Sequence, residues 1–220
     1  MSDVQRFVLW GSAGHALVLE EAIRRGCGKV VALFDNSPTA TSVLPGVRLF
    51  GAIRELRQWT SETPDACDHR ALVAIGGSRG RERLAMQSAL LEVGFSMPPL
   101  IHPCAFVAEN AIVGEGTQVL AGSSVAAAVS IGDACIVNHS ASVDHECQIG
   151  DGVHIAPGAT LCGCIAVGEN SMIGAGATVL PRLQIGENSI VGAGAVVTRN
   201  VPANSVVVGI PASVVRTVDR

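Results

Sequence analysis

Ile131-Gly-Asp-Ala-Cys-Ile-Val137-Asn-His-Ser-Ala-Ser-Val143-Asp-His-Glu-Cys-Gln-Ile149-Gly-Asp-Gly-Val-His-Ile155 carries an aliphatic residue at every sixth position. A small or compact residue follows four places after each one, as Cys135, Ala141, Cys147 and Val153. The register runs back through Val125, Val119, Val113 and Val107 to Ile101, and forward through Leu161, Val167, Ile173, Val179, Ile185 and Val191 to Val197. That is seventeen aliphatic residues without a slip. Neither the helical period of 3.6 nor the strand period of 2 generates it. A period of six fits a β-helix whose coil has three flat faces, one hexad to a face. Residues i and i+18 then stack about 4.8 Å apart, the spacing of neighbouring strands. The hexad count implies five to six coils, and Val206-Val-Val-Gly-Ile-Pro-Ala212 breaks the register and closes them.

A narrow coil interior also explains the composition. The 220 residues include two tryptophans, five phenylalanines and no tyrosine, and none of these aromatics lies beyond Phe106. Aromatic side chains bury the most area per residue, and an ordinary core would use them. The 25 glycines suit turns with unusual backbone angles. Two other classes are excluded. With a net charge of −4 and Lys29 as the sole lysine, no basic run is available to follow a phosphate backbone, so nucleic acid is not an expected partner. Each apolar stretch is interrupted well before ~18 residues, so no membrane-spanning helix is expected. Met1 to Trp10 has an early acid and too short an apolar run for a signal peptide, which makes the cytoplasm the default location. The seven cysteines lack a C-x-x-C pair; Cys135 and Cys147 fall on compact hexad positions and read as reduced, buried hydrophobes.

Before the hexads the pattern is different. Phe7–Trp10, Val30–Phe34 and Ala71–Ile75 read as buried strands, and Ala16–Arg25, Ala52–Trp59 and Arg81–Val93 as helices. This alternation predicts a small Rossmann-like parallel sheet. Met97-Pro-Pro-Leu100 marks its end, giving an α/β domain over 1–98, a β-helix over 99–212 and a tail over 213–220. The first strand runs into Gly11-Ser12-Ala13-Gly14-His15, a glycine turn opening a helix, where backbone N–H groups can receive phosphate oxygens. Asp35 stands where such folds place a hydrogen-bonding acid, although Gly11-x-x-Gly14 is not the full dinucleotide fingerprint. The third strand ends in Gly76-Gly77-Ser78. A nucleotide or sugar nucleotide is the expected ligand of this edge.

Histidines cluster in the coil as His139, His145 and His154, none on an aliphatic position. Asp144 and Glu146 bracket His145, and a carboxylate can orient an imidazole and stabilise its cation, which fits a general base. One coil beyond His145 is Gly163, flanked by Cys162 and Cys164. A glycine there leaves room for a substrate carbonyl and offers an N–H to an oxyanion.

Taken together, Gly11-x-x-Gly14-His15, Asn138-His139, Asp144-His-Glu-Cys147 and Ile149-Gly-Asp-Gly-Val-His-Ile-Ala-Pro-Gly158 resemble the bacterial sugar-nucleotide acetyltransferases of the hexapeptide-repeat superfamily. That group includes the enzymes that N-acetylate UDP-4-amino-sugars for bacillosamine, their GDP-perosamine relatives and the sialic-acid O-acetyltransferases. The resemblance implies a left-handed parallel β-helix, a homotrimer, acetyl-CoA as co-substrate, no metal, and a place in bacterial surface-glycan or lipopolysaccharide biosynthesis. It further implies that His145 is the base and Glu146 its partner. Asn138 would line the active site, while His154, Gly163, Ala175 and Ala193 would hold acetyl-CoA. Gly11, Ser12, Ala13, Gly14, His15, Asp35, Gly77, Ser78 and Arg81 would hold the sugar nucleotide. Three alternatives remain open on the sequence: O-acetyl transfer to sialic acid or another sugar, a zinc enzyme of the β-helical carbonic-anhydrase type, and a non-catalytic nucleotide-sugar-binding scaffold. His139, His145 and His154 lack the H-x-x-x-x-H spacing of that zinc class and would meet only across a subunit interface.

Overall fold

A computed structural model describes residues 4–218. The first three residues of the expected α/β domain and the last two of the expected tail lie outside the described residues. The chain begins with β1 (Arg6–Trp10), α1 (Gly14–Arg25), β2 (Lys29–Phe34), β3 (Arg48–Phe50), α2 (Ile53–Glu62), a 3-10 turn at Ala66–Asp68, β4 (Arg70–Val73) and α3 (Gly80–Val93). The four strands form one parallel sheet in the order β3-β2-β1-β4. The edge strand β3 is absent from the sequence reading. It is three residues long and follows a Ser/Thr/Pro-rich loop, too short to show a period.

Helices cover both faces of this sheet. On one face Phe7, Leu9, Leu33 and Leu72 pack against Ala16, Leu19 and Ile23 of α1. On the other, Val8, Trp10, Phe34 and Val73 pack against Leu56 of α2 and Leu90 of α3. The aromatics concentrate in this second layer: Phe34 stacks on Phe50 with ring centroids 5.2 Å apart and meets Trp59 edge-on at 5.8 Å. Such contacts need the thickness of a three-layer core.

The hexads then build seventeen two-residue strands, from β5 (Leu100–Ile101) to β21 (Val196–Val197). Three per coil make five coils and two strands of a sixth. Pairing is parallel at a spacing of eighteen, as in Ile136 to His154 to Met172 to Ile190. Three sheets of five, six and eight strands result. The second residue of each strand points inward, and Val137, Val143, Ile155, Leu161, Ile173 and Val179 are wholly buried there. The compact positions fill the corners of the same core, including Cys135 and Cys147. Burial pushes the Cys135 thiol up to about 12 and that of Cys147 upward as well, so both behave as inert hydrophobes.

The closing segment and most of the residues read as a tail form one hairpin: β22 (Ser205–Gly209) and β23 (Ala212–Thr217) pair antiparallel and end the eight-stranded sheet. That sheet also carries the α/β unit. Leu100, Leu120 and Ile136 on its outer side share a core with α1. Gly80 at the start of α3 packs directly on the Gly152 carbonyl, an approach that a Cβ would block. Among the described residues, no helix is long and apolar enough to cross a membrane.

Candidate active site

His145 and Glu146 stand at the corner between the six-stranded and five-stranded faces, after Ser142–Val143 and before Gln148–Ile149. The corner is sharp because Glu146 adopts φ 57, and Cys164 and Arg182, one and two coils on, adopt φ 60 and 63. His145 N–H donates to Asp144 Oδ1 at 2.7 Å, and its ring Nδ1–H donates to Glu146 Oε2 at 3.0 Å. The second bond fixes the tautomer, leaving Nε2 with a lone pair. It also holds the Glu146 carboxyl below the usual range, aided by the Cys164 thiol at 3.6 Å. Both side chains are more than half exposed, so solvent reaches the pair.

Gly163 faces the lone pair. A Cβ on it would overlap His145 Nε2 and come within 2.6 Å of Cε1, so only glycine accommodates the ring. The neighbouring N–H groups of Cys162 and Cys164 donate to Val179 O and His145 O, whereas among the described residues no backbone acceptor takes the Gly163 N–H. A lone-pair nitrogen and a backbone donor without a backbone acceptor thus stand at one corner.

A second site lies at the carboxyl edge of the parallel sheet. A cavity of about 470 Å³ is lined by Gly11, Ser12, Ala13 and Asp35 of the predicted set, and also by Trp10, Asn36, Ser37, Arg79, Glu82 and Met86. Asp35 braces it, accepting the Ser12 N–H through Oδ2 and the Ser37 N–H through Oδ1, each at 2.8 Å. Ala13, which lines the cavity, caps α1 without a side-chain bond, so the N–H groups of the helix start carry no side-chain cap. Arg79 and Glu82 are partners of one another. No motif in the sequence distinguishes them from an ordinary solvated helix start.

The remaining predicted residues sit between the domains or beside them. His15 Nε2–H donates to Gln118 Oε1 at 2.7 Å, and Gln118 Nε2 donates to Val73 O at 2.9 Å. His154 Nδ1–H donates to Gly77 O at 3.2 Å, and its Nε2 accepts from Asn138 Nδ2 at 3.1 Å. Asn138 Oδ1 then takes both the N–H and the ring Nδ1–H of His139. Burial lowers the basicity of His15 and takes His154 down to about 4, with the Arg83 cation contributing to both. His154 is therefore neutral at physiological pH. Ser78 and Arg81 lie beside a separate small cavity, where Arg81 donates to Asn188 Oδ1 at 2.8 Å. Gly14 opens α1. Ala175 and Ala193 occupy stacked corners between the eight-stranded and six-stranded faces, joined by Gly194 N–H to Ala175 O at 2.8 Å.

Arg83 was not singled out from the sequence. It is fully buried, donating to Ile75 O and Gly77 O of its own domain and to Ala134 O and Gly152 O of the coil, the last at 2.5 Å. Burial without a carboxylate partner lowers its pKa to about 10, which leaves it charged at neutral pH. It ties the Gly77 turn, whose carbonyl also accepts from the coil's His154, to the coil.

The corners bear on the layout of the site. His145 and Gly163 share one corner, while Asn138, His139, Ala175 and Ala193 lie at the next, across the six-stranded face. One chain does not bring the two sets together. Nor does it assemble the three histidines of the zinc reading: His139 and His154 share Asn138 at one corner, while His145 pairs with Glu146 at another.

The bacterial transferase hexapeptide (six repeats) family model matches residues 128–163 and 165–199. UDP-N-acetylbacillosamine N-acetyltransferase of Bacillus subtilis (strain 168) is 34% identical over 120 residues, 50% of this chain and 49% of that protein, so the match spans about half the length of that relative. The crystal structure of PerB from Caulobacter crescentus in complex with CoA and GDP-perosamine superposes with a TM-score of 0.87 at 35% identity, covering 96% of this chain and 97% of that one. The acetyltransferase domain of PglB from Neisseria gonorrhoeae FA1090, in complex with acetyl coenzyme A, does so with a TM-score of 0.85 at 31% identity, covering 96% and 100%. With the repeat matched by the family model and both the α/β unit and the coil covered over nearly the whole length, the chain belongs to the hexapeptide-repeat, left-handed β-helical sugar-nucleotide acetyltransferases.

Proposed function

We propose that this protein transfers an acetyl group from acetyl-CoA to the amino group of a nucleotide-linked amino-sugar, with a 4-amino-4,6-dideoxy sugar as the best-fitting class. The observation that carries the reading is His145: its Nδ1–H is held by Glu146 at 3.0 Å and its free Nε2 lies against Gly163. The sugar amine attacks the thioester carbonyl, Nε2 takes the amine proton, and Glu146 stabilises the resulting imidazolium. The tetrahedral oxygen meets the Gly163 N–H, and the C–S bond then breaks to release CoA as its thiolate. Holding both substrates at one corner converts the encounter into a local event and supplies much of the rate.

In this reading the 470 Å³ cavity takes the nucleotide, with Asp35 keeping the glycine loop shaped and the α1 N-terminus facing the diphosphate. The α/β unit over 1–98 thus serves binding and the β-helix over 99–212 serves transfer. Because Gly163 and the Ala175/Ala193 stripe lie on different corners, acetyl-CoA bridges two chains of a closed homotrimer. Surface-glycan biosynthesis in the cytoplasm is the setting that suits such a product.

Thiol release from acetyl-CoA, measured with UDP-, GDP- and dTDP-linked 4-amino-sugars, tests this. We expect turnover with one of them and a product whose acetyl group resists hydroxylamine, as an amide does. Turnover with sialic acid alone, giving a hydroxylamine-labile ester, would replace N-transfer with O-transfer. Nucleotide binding without turnover of any acceptor would leave a binding scaffold.

A further inference from the structure

The corner that holds the base also assembles three different metal-binding donors. A ring nitrogen of His145, a Glu146 carboxylate oxygen and Cys164 Sγ all lie within 4.8 Å of one another, and among the described residues this is the sole cluster of three such groups. We propose that these three side chains form an inhibitory site for a borderline-soft divalent cation, zinc above all. The inference rests on the reading of His145 as the base.

The spacing fits. Tetrahedral zinc with bonds of about 2.0–2.3 Å separates its ligands by roughly 3.3–3.6 Å. Glu146 Oε2 already stands 3.6 Å from Cys164 Sγ and 3.0 Å from His145 Nδ1. The backbone enforces this: Glu146 and Cys164 occupy equivalent left-handed corners one coil apart, so their side chains leave the coil stacked in parallel. Imidazole, carboxylate and thiolate are a zinc donor set, and solvent supplies the fourth vertex at this exposed corner. Two anionic ligands and one neutral ligand balance the charge of the ion. Asp144 adds a further negative charge at the corner, while Arg182, one coil beyond Cys164, opposes the cation from one side.

Occupancy would silence the base for a reason of tautomerism. The Nδ1–H tautomer is the active one because it leaves Nε2 free. Zinc needs the Nδ1 lone pair, so the ring proton must move to Nε2 and the nitrogen facing Gly163 becomes a donor. Cys164 loses its thiol proton to solvent as the S–Zn bond forms, and no oxidant is involved. A chelator reverses the whole process.

Cobalt(II) titration of the full-length protein reads the site without any acetyl transfer. We expect one ion per chain, with a thiolate-to-cobalt charge-transfer band that disappears in Cys164→Ala and persists in Cys162→Ala. Zinc should then suppress thiol release at one equivalent per chain and EDTA should restore it. Cys164→Ala should need about tenfold more zinc, each protein being referenced to its own metal-free rate. A wild-type protein with no thiolate band, or a band that survives Cys164→Ala, overturns the proposal. So does equal zinc sensitivity in both proteins. Should no acceptor be acetylated, the cobalt spectrum still decides the metal site, separately from the fate of the transferase reading.

Discussion

At the scale of single residues, the site depends on what His145 is denied as much as on what it holds. Gly163 denies it a neighbouring side chain, since a Cβ there would overlap Nε2. Gly163→Ala should push the ring off its position and cut the acetyl-transfer rate by about 10²-fold or more, with circular dichroism unchanged. An unaltered rate would show that the ring is not held against this glycine during turnover. Glu146→Gln keeps the size of the side chain but removes the charge that stabilises the imidazolium. A loss of roughly 10-fold to 100-fold in kcat, with KM for acetyl-CoA little changed, is expected from steady-state kinetics. These residues were legible because a spacing of eighteen turns sequence into stacking. His154 was only half legible. Its hexad position marks it as outside the coil, yet it is buried because the α/β unit covers that face.

Among the elements, the hexad strands were legible to the residue because each inward position meets the same narrow interior. The same narrowness predicts a penalty for aromatic side chains. Ile155→Phe should destabilise the fold by about 1–3 kcal/mol in urea denaturation, through overpacking. A neutral effect would mean that the interior has slack, and would remove the explanation for the absence of aromatics beyond Phe106. The elements of the α/β unit were found by alternation, but β3 was too short to show a period and β23 looked like a tail until its pairing with β22 was seen. Arg83 was invisible for another reason. In Arg79-Gly-Arg81-Glu-Arg83 it looks like one more exposed charge, and only the docking of α3 on the coil buries it. Arg83→Met would remove a donor from four carbonyls, of which Ala134 O and Gly152 O are buried, and a loss of about 3 kcal/mol in urea denaturation is expected.

For the whole molecule, the domain interface introduces a pH dependence. The pKa of His154 is about 4 when folded and 6.5 when unfolded, so between these values the unfolded chain binds the extra proton. Stability therefore rises with pH across that window and is lost on acidification from about 6.5 towards 4; the lowered basicity of His15 acts in the same direction. From pH 7 to pH 5, His154 alone should remove about 2 kcal/mol, read as a lower urea midpoint. His154→Gln should flatten that slope. The proposed function assigns recognition to the α/β unit and transfer to coil corners contributed by different chains of the proposed homotrimer. Both assignments converge on one side chain. Initial rates of thiol release from acetyl-CoA, with the preferred nucleotide-linked amino-sugar, should fall by about 10²–10⁴-fold in His145→Ala while the assembly and its nucleotide binding persist. Equal rates in the two proteins would contradict the assignment of His145 as the base.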